Sequence, residues 1–165
     1  LQAHVRRGGH VLGICGGFQM LGSRISDPDG IEGQVHEIEG LGLLDVETVM
    51  EPEKVVRNVA ARSVLFDTAL EGYEIHIGRT GGADVIRPFA RIGDHDDGAM
   101  SANGRIMGTY LHGVFSADAF RHQFLASLGV SSSGGNYRAG IEAALDELAD
   151  GLEQCLDIDG LFALD

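Results

Sequence analysis

The sequence predicts an α/β domain, a mixed or parallel sheet flanked by helices, and three observations carry that prediction. The first is Val11-Leu12-Gly13-Ile14 running directly into Cys15-Gly16-Gly17-Phe18-Gln19-Met20-Leu21-Gly22: a short apolar strand, a hard turn at one cysteine, and a helix. The second is a central series of β-branched runs between Leu41 and Thr80. The third is a pair of C-terminal segments whose apolar residues recur at helical spacing.

In chain order, Leu1 to Gly9 reads as the tail of a helix capped by glycine. The chain opens without Met, so a fragment lacking its N-terminal part, and with it the first strand or strands, is expected. A helix from about Gly17 to Ser23 should stop at the turn Ser26-Asp27-Pro28-Asp29-Gly30. Leu43 to Val49 and Lys54 to Val59 read as two strands interrupted by Glu51-Pro52-Glu53. Gly72 to Thr80 reads as a third, ending in Gly81-Gly82. Val85 to Ala90 fits an edge strand because of Pro88, and Asp94 to Gly98 an acidic turn. Asn103-Gly104 predicts a two-residue hairpin turn between Gly98–Ala102 and Arg105–His112. Ser116 is the expected N-cap of a helix over Ala117 to Leu128, closed by Gly129. Ser131 to Gly135 is a flexible link. The last helix, about Tyr137 to Leu156, aligns Ile141, Leu145, Leu148, Leu152 and Leu156 as a core or interface stripe.

Composition narrows the function. At 165 residues the chain is one domain, 1–165, able to bury a core without staples. Two distant cysteines make no disulfide framework and point to a reducing, cytoplasmic setting. A formal net charge of -13 argues against nucleic acid and against anionic membrane surfaces. The sequence carries no phosphate loop, no dinucleotide-binding glycine pattern and no His-Glu-x-x-His, and the cluster Asp94-His95-Asp96-Asp97 reads as wet rather than metal-binding.

The thiol of Cys15 is the candidate nucleophile. Glycines at 13, 16 and 17 suit a strained strand-to-helix turn, where the positive end of the helix favours an anion and the Gly16 N–H can donate to a substrate oxyanion. Cys155 has no charge or His beside it and reads as structural. Of the seven histidines, His112 stands out. It ends a strand before Gly113, at the sheet edge where open α/β sheets place their sites. His76 is either a buried, hydrogen-bonded strand residue or a second crevice residue. His122 reads as structural and His95 as solvated, while His4, His10 and His36 have nothing nearby to commend them.

Three motifs together, Gly13 to Gly22, Gly72 to Thr80 and Gly108-Thr109-Tyr110-Leu111-His112-Gly113-Val114-Phe115, resemble the C-terminal glutaminase domain of the cobyric acid synthase family, within the class I glutamine amidotransferases. The resemblance implies a flavodoxin-like fold, Cys15 and His112 as nucleophile and base, and Gln19 against bound L-glutamine. The Glu74-Ile75-His76 strand lines the same site. It also implies that ammonia passes to an ATP-dependent synthetase domain of the same full-length chain, which amidates corrin carboxylates in cobalamin biosynthesis. Cofactors are then none in this domain, with ATP and Mg belonging to the synthetase. Position 114 is Val where many class I members carry an orienting Glu, so a Cys-His dyad is expected. The alternatives are the glutaminase of a cobyrinic acid a,c-diamide synthase or another ligase, and a non-catalytic or redox-sensing cysteine-elbow module.

Overall fold

A computed structural model describes residues 1–131 and 134–162. The chain opens with α1 (Gln2–Arg6), β1 (Val11–Ile14) and α2 (Gly16–Leu21), then β2 (Arg24–Ser26) and β3 (Glu37–Glu39). A long ribbon follows, β4 (Val46–Ser63) and β5 (Ala69–Gly82), antiparallel along its length. Beyond it lie β6 (Ala90–Ile92), β7 (His95–Asp97), β8 (Ala99–Met100), β9 (Ile106–Thr109), β10 (Leu111–His112), α3 (Asp118–Ser127), α4 (Tyr137–Cys155) and α5 (Ile158–Phe162).

The mixed α/β class holds, with the strands shared between two sheets. One has the order β1-β9-β8, with β1 and β9 parallel. The other runs β10-β5-β4-β2-β3, with β6 and β7 continuing from β4. β9 and β10 are separated only by Tyr110, so one extended segment belongs first to one sheet and then to the other. That continuity fixes His112 relative to Cys15: Cys15 follows β1 directly, and its N–H bonds to the Thr109 carbonyl at 2.9 Å.

Two apolar clusters support this crossover. One gathers Leu70, Phe89, Met107, Leu111, Phe120 and Phe124, with Phe120 at the centre of four ring contacts. The other packs Phe18 and Leu21 of α2 against Val11, Ile106 and Tyr110. Close approach explains two strand glycines here. A Cβ at Gly13 would strike the Gly17 backbone, and one at Gly108 would overlap the Phe18 ring. A Cβ at Gly16 or Gly17 would meet nothing within 4 Å outside the adjoining residues, so those two do not relieve crowding.

Several sequence expectations are corrected. The β-branched runs on either side of Pro52 are one strand, because β4 absorbs Glu51-Pro52-Glu53 as a register shift between Val49 and Lys54. Val85 to Ala90 is not an edge strand: Ala83–Ile86 is a 3₁₀ turn and β6 begins only at Ala90. The acidic segment forms β7, paired with β6. The hairpin loop spans 102–105 rather than two residues, since Ser101 N–H already bonds the Ile106 carbonyl and Asn103 Oδ1 accepts from Arg105 N–H. Ala117, not Ser116, caps α3, and the Ser116 hydroxyl turns back to the Gly113 carbonyl at 2.7 Å. Cys155 ends α4 in the open and packs no core. The expected link includes Ser132 and Ser133, which lie outside the described residues.

Gly72 of β5 faces His112 of β10, and a Cβ there would overlap the His112 carbonyl oxygen. Gly72→Ala is therefore expected to cost about 1–3 kcal/mol, the usual penalty of overpacking. Urea denaturation measures that loss, and hydrogen exchange at Leu111 and His112 should rise because β10 is the element displaced. An unchanged denaturation midpoint would contradict the register.

Candidate active site

Cys15 is the pivot of the turn between β1 and α2, and it is half-buried. Its φ of 54° and ψ of -118° lie in a region that glycine enters freely and a side chain enters at a cost. The strain follows from chain order: β1 must end and α2 begin within a single residue, while Gly13 lets the helix backbone lie against the strand. In α2 the N–H groups of Gly16 and Gly17 precede the first intrahelical donor, Phe18, whose N–H bonds the Cys15 carbonyl, so they are the free opening donors of the helix.

β5 runs across this turn and supplies the opposite wall. The Cys15 thiol donates to the Ile75 carbonyl at 3.4 Å. One turn along α2, Gln19 Nε2 donates to the Ile77 carbonyl at 3.1 Å and to the Tyr110 hydroxyl at 3.2 Å. Alternate carbonyls of one strand thus hold the two polar side chains of one short helix.

His112 enters from the other edge of β5, paired in register with Tyr73. The two rings stack, with centroids 4.8 Å apart and planes 8° from parallel. His112 Nε2 is buried without a hydrogen-bond partner. The thiol and the imidazole thus reach the same stretch of β5, at Ile75 and Tyr73, and the thiol rests on a carbonyl rather than on Nε2. Val114 is buried, and it presents no carboxylate to the ring.

Glu74 and His76 form a separate layer. His76 Nε2 lies 3.0 Å from Glu74 Oε1, Nδ1 lies 3.0 Å from the Gly78 carbonyl, and the ring stacks on Tyr110 at 4.1 Å. His76 is hydrogen-bonded within the strand, the first of its two readings, and it lines a cavity of about 580 Å³ with Glu74, Tyr110 and Asp97 whose lining includes neither Cys15 nor His112. Arg57 donates to Glu74 Oε2 at 2.8 Å and contacts His95 Nε2 at 2.9 Å. His95 is therefore engaged, not solvated. Burial pushes the Glu74 carboxyl up, but the Arg57 and His76 hydrogen bonds outweigh it and hold the group below the usual glutamate value.

Asp97, which the sequence suggested was wet, is buried. It accepts from the Thr109 hydroxyl and from Tyr110 N–H at 3.0 Å. Burial pushes its carboxyl above the ordinary aspartate value against those two bonds. It anchors the junction between β9 and β10, and with it the approach to His112. Sequence reading missed three contributors: the Tyr73 ring, the β5 carbonyls and Asp97. Tyr73 stands inside a quoted motif, but its stacking depends on cross-strand register, which no local pattern specifies. Among the described residues, no group of three His, Cys, Asp or Glu is placed to hold a metal ion. No helix among them is long and apolar enough to cross a membrane.

The Glu74 bonds give a pH signature. A carboxyl whose folded pKa is lowered contributes stability that is fully present above its ordinary value of 4.5 and is lost as pH falls through the lowered folded value. Glu74→Gln is expected to cost about 1.5–3 kcal/mol at pH 7, where it removes charge-assisted bonds. The gap from wild type should narrow steadily in urea titrations taken down to pH 3. A gap independent of pH would show that the Arg57 and His76 bonds are not its source.

The fold and site define a class: an α/β domain with a strained cysteine elbow and a histidine delivered from a neighbouring strand. The chain belongs to the CobB/CobQ-like glutamine amidotransferase domain family, whose model matches residues 1–120. Curated relatives named cobyric acid synthase are 77% identical in Brucella canis and 75% identical in Brucella anthropi, each over 99% of this chain. The chain spans 34% of the length of those relatives. The solved structure of PurLQS from Thermotoga maritima aligns with a TM-score of 0.48 at 17% identity, over 87% of this chain and 66% of that one.

Proposed function

We propose that residues 1–165 form the glutaminase module of a longer ligase, hydrolysing L-glutamine at Cys15 and His112 and supplying ammonia for amidation of corrin-ring carboxylates. The observation that carries this reading is the convergence on β5 of a strained thiol and an imidazole whose Nε2 is buried and uncommitted. A buried ring nitrogen without a partner is costly to keep. A substrate or its leaving group arriving at Nε2 would relieve that cost.

His112 Nε2 takes the proton of the Cys15 thiol, and the resulting thiolate attacks the side-chain carboxamide carbon of glutamine. The carbonyl π bond opens to an oxyanion that the N–H of Gly16 stabilises at the start of α2. The intermediate collapses with cleavage of the C–N bond, and His112 gives the departing nitrogen its proton, releasing ammonia and leaving a thioester. His112 then takes a proton from water, whose oxygen attacks the thioester carbon, and glutamate leaves as the thiol is restored. In this reading Gln19, Glu74 and His76 hold the substrate, and the β5 carbonyls that now accept from Cys15 and Gln19 are released to accept from substrate N–H groups.

The names of the relatives support the cobyric acid synthase reading over that of a cobyrinic acid a,c-diamide synthase. ATP and Mg would serve the synthetase region of the longer protein, and no cofactor is assigned to this domain. The setting is the cytoplasm, with no nucleic acid or membrane as partner. The test is a glutamine-mimicking diazo-ketone followed by peptide mapping. Wild type is expected to carry one adduct, on Cys15, protected by L-glutamine. A chain in which Cys15 reacts with a general thiol reagent but not with the diazo-ketone would sink the glutaminase reading in favour of a non-catalytic cysteine module.

A further inference from the structure

α4 is a 19-residue helix in which no residue is buried. Ile141, Leu145, Leu148, Leu152 and Leu156 follow one another at spacings of three and four and are between 41% and 58% exposed. Such spacing gathers them into one stripe. Ala144 and Gly151 flank the stripe and leave room for a neighbouring backbone to approach closely. Only the foot of the helix is tied to the domain: Tyr137 N–H bonds Asp118 Oδ1 at 3.0 Å, and Arg138 pairs with Glu71 at 3.6 Å. The helix is therefore oriented, and beyond Ile141, which lines a surface cavity with Glu71 and Ser116, its apolar side stays exposed among the described residues.

Two arguments identify what covers it. Two free copies meeting through one helix face each would join across a single short patch, against about 800 Å² of accessible surface per partner in a standard interface, and would bear the full cost of association. A partner in the same polypeptide needs less, because tethering replaces the cost of association with a high effective concentration. Such a partner exists in the relatives, where the aligned 99% of this chain, α4 included, makes up only 34% of the length.

We propose that the apolar face of α4 seats in an apolar groove, about four helical turns long, on the synthetase region of the longer protein, and so fixes the glutaminase site relative to it. This rests on the reading of the chain as one module of a longer ligase. Exposed Cys155, at the end of α4 beside Leu152 and Leu156, is a built-in reporter.

The experiment compares alkylation of Cys155 by iodoacetamide, followed by peptide mapping, in this chain and in a full-length Brucella canis relative whose matched third is replaced by this chain. Expected is a fast reaction in the isolated chain, which light scattering shows to be a monomer, and at least tenfold slower reaction in the full-length protein. Leu145→Glu with Leu148→Glu should restore the fast rate, while Ala143→Glu should not. Equal rates in the two proteins overturn the proposal, whether or not the double variant folds. A slow rate in the isolated chain overturns it too, in favour of a second copy if that chain is a dimer. Diazo-ketone labelling of Cys15 in the same samples reports separately on the glutaminase reading, so either can fail alone.

Discussion

Cys15→Ala is expected to lower glutamine hydrolysis by at least about 10³-fold, because no other described side chain stands at the elbow to form the thioester. Cys15→Gly should be equally inactive but more stable than wild type. The backbone at position 15 has a φ of 54°, where a side chain costs about 1–3 kcal/mol and glycine far less. Replacing the strained residue trades catalysis for stability, and a rise in the denaturation midpoint of Cys15→Gly over Cys15→Ala measures the trade. If Cys15→Gly is no more stable than Cys15→Ala, the strain assigned to the elbow is not there. If Cys15→Ala keeps turning over glutamine, the proposed nucleophile is wrong.

That strain also shows why the elbow was legible in the sequence. β1, the turn and α2 are set by neighbouring residues: an apolar run, a cysteine amid glycines, then helix formers. The same holds for the strand carrying Glu74 and His76 and for the strand ending at His112. What could not be read locally was the pairing of strands. Asp97 looks solvated when read with its acidic neighbours, and only the β6–β7 hairpin turns it inward toward Thr109 and Tyr110. Pro52 looks like a break between strands until β5 is seen to pair with β4 on both sides of it. His112 lacks a following carboxylate in the sequence, and its stacking partner is a residue 39 positions earlier, joined to it only by sheet register.

That partner leads to the second large effect. His112→Ala is expected to lower kcat by about 10²–10⁴-fold, the range typical of a lost general acid and base. The ring must be held at one angle to serve both steps, yet it lacks the carboxylate that would fix it by a hydrogen bond, and Tyr73 lies flat against it instead. An aromatic contact of this kind contributes about 0.5–1.5 kcal/mol, which corresponds to about 2- to 13-fold in rate. Tyr73→Leu should therefore lower kcat by that factor with little change in KM, while Tyr73→Phe, which keeps the stack and loses only the hydroxyl, should behave as wild type. A dyad oriented by stacking tolerates small rotations of the imidazole that a hydrogen bond to a carboxylate would forbid. The thiol, which donates to the Ile75 carbonyl, must leave that acceptor to meet the ring when substrate arrives. Were Tyr73→Leu to match wild type while His112→Ala remained inactive, orientation would have to come from the backbone of β10 alone, and Gly72→Ala, which displaces that strand, would become the decisive variant.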